Sequence, residues 1–421
     1  EHFYFCVLFV FNGTASTDIY TLSRHDAIPI YHSFLEWPFF QESHRKLAHE
    51  LEEWCRSRKW SGEVESVEEV DEACRKRVHD LASTGWLRWC VPKAFGGQTE
   101  NLDVRSLCII REILARHDAL ADFSFAMQGL GSGAISCFGT SDQKERFLPA
   151  IATGESIAGF ALTEPDAGSD VANLTTYAEP TSKGWNLNGS KTWISNGGIA
   201  DFYTLFARTE KSSGTSGLSA FILEAKTLGL EICERLEVIA PHPLARIELK
   251  DAFIPKDLLL GESGHGFRIA MATLDIFRPT VGAAALGFAR RAFDEALGHS
   301  GSREMSGQSM QQLPVVRAKL GEMALKLDAS ALLIYRADWA HDLQRGRTTR
   351  EASRAKLYAT EAAQEIIDTA VQLCGARGVQ KGNPAEALYR EIRALRIYEG
   401  SSEVHQQILG QQAIRLYTGQ V

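Results

Sequence analysis

The sequence predicts a mainly α chain with a central β domain: an N-terminal helical domain, a middle β domain and a C-terminal helical bundle. Three observations carry that expectation. Apolar residues recur at helical spacing from Ser33 to about Gly154. Short strand-like runs replace them from Ser156, and helical spacing returns at Gly266 and persists. A length of 421 residues exceeds what one hydrophobic core usually organises, so several domains are expected. Their boundaries are placed at 33–155, 156–265 and 266–421.

Residues 1–32 look foreign to the rest of the chain and read as an N-terminal extension. The apolar run from Phe3 to Phe11 is too short to span a bilayer and lacks the basic segment of a signal peptide. Leu47, Leu51, Trp54 and Cys55 then fall on one face of a helix. Further helices are expected near 66–84, 101–119, 121–137 and 142–153, the last capped by Asp142. Ser156–Thr163, Gly184–Asn188, Asp201–Ala207 and Gly217–Leu223 read as strands, rich in β-branched and aromatic residues and separated by Gly, Asn or Ser. Leu228–Ile254 adds two or three more, and Lys211–Gly217 reads as an exposed hairpin loop. Helices are expected over 266–298, 309–345, 349–375, 384–397 and 403–417, long enough to pack as a bundle.

Composition narrows the function classes. Hydrophobic residues make up 44% and charged residues 23%, as in ordinary soluble proteins. Acidic residues outnumber basic ones, 53 to 45, giving a net charge of −8. That offers no global attraction to phosphate backbones, so no nucleic-acid partner and no membrane span are expected. The eight cysteines are scattered without a CxxC, which suits free thiols in a reducing cytoplasm.

Some motifs can be set aside. Gly184–Thr192 nearly matches a phosphate-binding P-loop, but Ser190 stands where the lysine belongs, and the segment joins two strands. Gly129, Gly131 and Gly133 lie in helical context and read as tight helix packing. There is no HExxH, and the twelve histidines lack metal-ligand spacing, so no metal site is expected.

Two segments rise above background. In Phe160-Ala-Leu-Thr-Glu-Pro-Asp-Ala-Gly-Ser-Asp170 a strand ends, Pro165 forbids further pairing, and Gly168 lets backbone N–H groups approach a ligand. In Ile397-Tyr-Glu-Gly-Ser-Ser402 a carboxylate, Glu399, precedes a flexible glycine, and Ser401 or Ser402 can cap the next helix. Taken singly, each reads as a turn followed by a cap.

Together, with Lys191-Thr-Trp-Ile-Ser-Asn-Gly197 and Arg278-Pro-Thr-Val-Gly-Ala283, these segments resemble the acyl-CoA dehydrogenase family over about 34–417. The resemblance implies an acyl-CoA dehydrogenase-like fold, with a β-barrel-like middle domain and a C-terminal four-helix bundle, and FAD between the two. Phe160, Leu162 and Thr163 would line the flavin, with Trp193, Ile194 and Ser195 on the other side. Ser169 would lie near the cofactor and the pantetheine of CoA. Asp275, Arg278, Tyr398 and Gly400 would face the substrate. Arg303, Gln372, Gly375 and Gly378 would reach the FAD of a partner subunit, and Ser401 the pyrophosphate of its own.

The implied reaction is α,β-dehydrogenation of an acyl thioester, with Glu399 taking the α-proton and the flavin the β-hydride. The Glu399 backbone N–H would help hold the thioester oxygen. Burial beside Tyr398 should raise the Glu399 pKa toward neutrality. An electron-transfer flavoprotein partner and a homodimer or homotetramer are also implied. The same chemistry on an acyl-carrier-protein thioester, an acyl-CoA oxidase, and a DNA-binding or flavin-hydroxylase relative are the alternatives. Two departures stand out. Ser306 and Leu313-Pro314 occupy positions where the family usually has an aromatic residue and a His-Gln pair. Ala240-Pro-His-Pro-Leu244 replaces the usual Arg-x-Ser-x-Thr.

Overall fold

The helical first third resolves into five helices, each started by a side chain that satisfies free backbone N–H groups. The computed structural model describes residues 33–419 apart from 61–63, 65, 211–213 and 345–346. The extension expected over 1–32 lies outside the described residues. Helix α1 (Glu42–Ser57) buries Leu47, Leu51 and Cys55, while Trp54 packs edge-on against Trp60 and Trp86. Helix α2 (Val67–Ser83) opens with a Ser66–Glu69 capping box. Asp103 caps α3 (Val104–His117), and Asp118 caps α4 (Ala119–Phe138). For α5 (Ser141–Ala152) the cap is Thr140, not Asp142. Thr140 accepts from the Gln143 N–H at 3.2 Å, and Gln143 accepts from the Thr140 N–H at 3.0 Å. Asp142 sits two positions past the cap, too far on to reach those donors, and lies in the first turn.

The glycines of α4 explain why this helix touches both other domains. A Cβ on Gly133 would come within 2.6 Å of the Phe277 ring, and one on Gly131 within 2.6 Å of the Ala158 Cβ. Strand β1 (Ala158–Ala161) thus begins directly on the helix. The fully buried Gln128 side chain donates to Ser156 O at 2.8 Å and accepts from Ala158 N–H at 2.9 Å. The Asn196 amide donates to Ala158 O at 2.9 Å.

The middle domain contains β2 (Tyr177–Pro180), β3 (Gly184–Ser195), β4 (Phe202–Arg208), β5 (Leu218–Glu224), β6 (Leu230–Arg235), β7 (Leu244–Pro255) and β8 (Leu259–Leu260). Their order is β6-β7-β3-β2-β4-β5-β8, with β1 parallel to β4 in the register Ala158↔Phe202 to Ala161↔Leu205. Strands β4 and β5 form the expected antiparallel hairpin. Strand β3 runs well past Asn188, irregular between Lys191 and Ile194 where its register against β7 shifts.

The bundle comprises α6 (Gly266–Ser302), α7 (Pro314–Gln344), α8 (Thr349–Cys374), α9 (Pro384–Leu395) and α10 (Ser402–Thr418). Helix α7 starts later than the periodicity suggested. A short hairpin (Glu304–Met305, Gln308–Ser309) and a 3-10 turn precede Pro314, whose fixed φ suits a first helical position. Helix α6 is long and apolar enough to cross a membrane, but 89% of that window is buried against protein. It packs along α8 and α3, so one helix connects the N-terminal domain to the bundle. Of the described cysteines, Cys55, Cys74, Cys90, Cys108 and Cys374 are buried free thiols, and Cys137 and Cys233 are exposed.

Candidate active site

The turn between α9 and α10 carries Glu399. Ile397 and Tyr398 donate their N–H groups to Ala394 O, ending α9, and Ser401 caps α10. Between them the chain reverses through two left-handed residues, Glu399 at φ +54° and Gly400 at φ +100°. Non-glycine residues rarely hold that conformation without support. Support comes from two buried cations: Arg278 Nε on α6 donates to Glu399 O at 3.1 Å, and Lys356 Nζ on α8 donates to Gly400 O at 2.7 Å. Arg278 is braced by Asp275 at 3.6 Å, and Asp275 in turn accepts from Thr349 Oγ1 at 2.7 Å. His405 on α10, fully buried, packs beneath Gly400, where a Cβ would lie 2.9 Å from its Nε2.

The Glu399 carboxylate carries the chemical potential of this turn. Its Oε2 is buried and makes no hydrogen bond. Burial raises its pKa above the ordinary carboxylate range, opposed by the charges of Arg111, Arg278 and Lys356 and assisted by Asp122. Arg111 and Asp122 form a buried ion pair, bidentate at 2.8 Å for both bonds, and Arg111 also donates to Thr280 Oγ1 at 3.0 Å. The pair offsets one of the three cations, so Glu399 faces the net charge of Arg278 and Lys356. A raised pKa and a free lone pair are what a general base needs. Tyr398, beside it, is 38% exposed.

A second cluster forms where β1 ends. Lys191 is fully buried; its Nζ donates to Leu162 O at 3.1 Å and lies 2.8 Å from Glu164 Oε1. Thr192 N–H donates to Thr163 O at 3.0 Å. The segment Phe160–Thr163 is therefore tied to Lys191 and Thr192, directly before Trp193–Ser195. Burial opposes ionisation of Glu164, but Lys191 and hydrogen bonds from Thr175 and Thr176 outweigh it and hold the carboxyl at about 2. Trp193 is held out of the sheet at φ +58°, with 56% of it exposed. Leu162, Thr163 and Ser195 are half-buried, and Phe160 packs on Phe206. Ile194 is the exception. It is 1% exposed within the core, so only its backbone remains to face a ligand. Ser169 is exposed on the turn after Gly168, whose added Cβ would meet nothing nearer than Thr163 at 3.9 Å. An exposed indole, polar strand ends and an open glycine turn fit a flat heteroaromatic cofactor with a polar margin.

The remaining expected residues sit elsewhere. Helix α6 has 37 residues and is roughly 55 Å long at 1.5 Å per residue. Arg278 lies in its first half, whereas Arg303 is its C-cap. Gln372 and Gly375 are exposed and Gly378 is buried, at the end of α8. The charges of Arg303 and Arg377 both act on His299, so the two arginines stand at the same end of the bundle. It belongs to a different place from the Glu399 turn. The Ala240–Leu244 departure is folded inward: His242 stacks on Phe123 with ring centroids 4.5 Å apart and lies 3.2 Å from Glu391. Sequence reasoning missed Lys356, His405 and the Arg111–Asp122 pair, which lie in helical runs without a motif.

A helical, strand and helical chain with a buried, unpaired carboxylate and an aromatic, glycine-containing cradle fits a flavoprotein oxidoreductase, and the similarities to known proteins show that class. Family models for the N-terminal, middle and C-terminal domains of acyl-CoA dehydrogenase match residues 41–155, 159–252 and 264–414. A probable acyl-CoA dehydrogenase of Mycobacterium tuberculosis is 34% identical over 354 residues, covering 82% of this chain and 90% of the relative. A subunit of the caffeyl-CoA reductase–Etf complex of Acetobacterium woodii is 35% identical over 349 residues, covering 82% of this chain and 91% of the relative. Among solved structures, butyryl-CoA dehydrogenase from Megasphaera elsdenii superposes with a TM-score of 0.80 at 32% identity, covering 90% of this chain and 99% of that one. The chain belongs to the acyl-CoA dehydrogenase family, and its cofactor is FAD.

Proposed function

We propose that this enzyme dehydrogenates an acyl-CoA thioester at its α,β-bond, with Glu399 as the base that takes the α-proton. The observation that carries the reading is Glu399 itself: a carboxylate with a buried, unpartnered oxygen and a raised pKa, on a turn gripped by two cations. Bound FAD supplies the hydride acceptor for the β-carbon. The chain's own contribution is orientation and charge. The turn sets the carboxylate and the Glu399 N–H on one short segment, so one placement serves both proton removal and the developing negative charge on the thioester oxygen. Thr163, Trp193 and Ser195 would hold the flavin, Ser401 its own-subunit pyrophosphate, and Ser169 the pantetheine side.

Arg303, Gln372, Gly375 and Gly378, far along the bundle from Glu399, would hold the FAD of a second copy in a homodimer or homotetramer. The kinship to an Etf-complex subunit supports an electron-transfer flavoprotein as acceptor. The test is anaerobic flavin absorbance of the purified protein, titrated with acyl-CoA thioesters of different length and ring character, beside Glu399→Gln. Bleaching in the wild type and none in the variant is the expected result. An FAD-loaded wild type that no acyl-CoA bleaches would overturn the CoA reading and move the test to carrier-protein thioesters.

A further inference from the structure

Lys356 stands on α8, in a helical run that carries no catalytic motif, yet its ammonium is fully buried and hydrogen-bonded to a main-chain carbonyl in the Glu399 turn. A charge taken out of water demands compensation. Here part of that compensation is the Gly400 carbonyl, next in sequence to the carbonyl that Arg278 holds. We propose that Lys356 is a positioning residue for the reaction: with Arg278 it clamps two successive carbonyls and keeps Glu399 in the left-handed conformation from which its carboxylate meets the substrate. This rests on Glu399 being the base. Neither cation touches the reacting atoms. They act by fixing the peptide planes on the C-terminal side of Glu399, and hence the direction in which its Cα projects the side chain.

The surroundings decide what happens when pH changes. Glu399 faces Lys356 from the turn, Arg278 from α6, Glu361 from one turn along α8, Arg396 from the end of α9, and His405 from α10. Glu361 is occupied by Arg396, with bonds of 2.8 and 2.7 Å, and by the Ser402 hydroxyl. His405 does not compete, because burial and the charges of Lys356 and Arg278 lower its pKa to about 3 and keep it neutral. The group that titrates near working pH is Lys356, which burial lowers to about 8 against the pull of Glu399. Above that pH the ammonium becomes an amine. The charge-assisted bond to Gly400 weakens, and the turn loses one of its two anchors.

The experiment compares wild type, Lys356→Met, Lys356→Arg and Glu399→Gln as FAD-loaded full chains. Butyryl-CoA, octanoyl-CoA or 3-phenylpropionyl-CoA is used, whichever bleaches the wild-type flavin fastest. Wild type should show a rate that falls as pH rises through about 8. Lys356→Met should keep its FAD and a KM within about threefold, but lose about 10- to 100-fold in bleaching rate. It should also lose the alkaline fall. Lys356→Arg, which cannot deprotonate, should recover part of the rate and also lack the fall, and it keeps the test alive if the Met variant does not fold. An unchanged bleaching rate in Lys356→Met, or the same alkaline fall persisting in both variants, refutes the role of Lys356 while leaving Glu399 as the base. Failure of all three thioesters to bleach wild type removes the reading on which the role depends, and the proposal falls with it.

Discussion

In the proposed reaction Glu399 acts as the base because of where its backbone is held, and the consequences at the scale of single residues stem from that. Replacing it by Gln keeps the shape and removes the proton acceptor, so bleaching should slow by about 10²–10⁴-fold in stopped-flow. Because burial raises its pKa, the carboxylate ionises later than a free glutamate. The sign is direct: only the ionised form accepts a proton, so the rate climbs with pH through the raised value. A single-turnover pH profile should place that acid limb above the ordinary glutamate range near 4.3. A limb at the ordinary value would mean that the turn is solvated. At this scale the sequence was partly legible. Glu399 and Arg278 both stood out in short motifs, whereas the hydrogen bond from Arg278 to the Glu399 carbonyl emerged from the fold. Lys356 and His405 did not, because they arrive from α8 and α10 and only folding brings them under Gly400.

At the scale of elements, packing geometry overrides propensity. Gly131 and Gly321 are both helical glycines, and alanine favours a helix at either site. Their surroundings differ. An added carbon at Gly131 lies 2.6 Å from the Ala158 Cβ and 2.9 Å from its carbonyl carbon, whereas at Gly321 nothing lies within 4 Å. Gly131→Ala should therefore lose about 1–3 kcal/mol. Gly321→Ala should gain about 0.5–1 kcal/mol. Urea midpoints of the two variants moving in the same direction would contradict this account. The glycine spacing of α4 was readable as packing, but its partners were not. Strand β3 shows a similar limit: Gly184–Asn188 read as a strand, while the rest of it, through Ser195, was hidden by an irregular register and the left-handed Trp193.

For the whole molecule, acid stability rests on carboxylates that folding keeps ionised. Burial works against Glu52, Asp103 and Glu164, yet His117, His44 and Lys191 with their neighbours outweigh it and bring all three to about 2. A depressed carboxyl contributes stability above its unfolded pKa and loses it as pH falls through the folded one. Glu164 belongs to this set even though burial pushes its partner Lys191 down to about 8. Thermal midpoints should thus hold down to about pH 5 and fall steeply between about 4.5 and 2, with Glu164→Gln lower than wild type at pH 7. An equal deficit of that variant at pH 2.5 would show that charge is not the cause. The order of helical, strand and helical blocks was legible because periodicity is local. The pairing of β1 with β4 was not, since it depends on amides far away in sequence. That arrangement has one more effect. Parallel pairing uses only one side of β1, which would leave the other side a template for a foreign chain. Gln128 and Asn196 occupy the N–H and C=O of Ala158 there, so the strand leading to the cofactor cradle cannot slip in register or recruit a neighbour at that point.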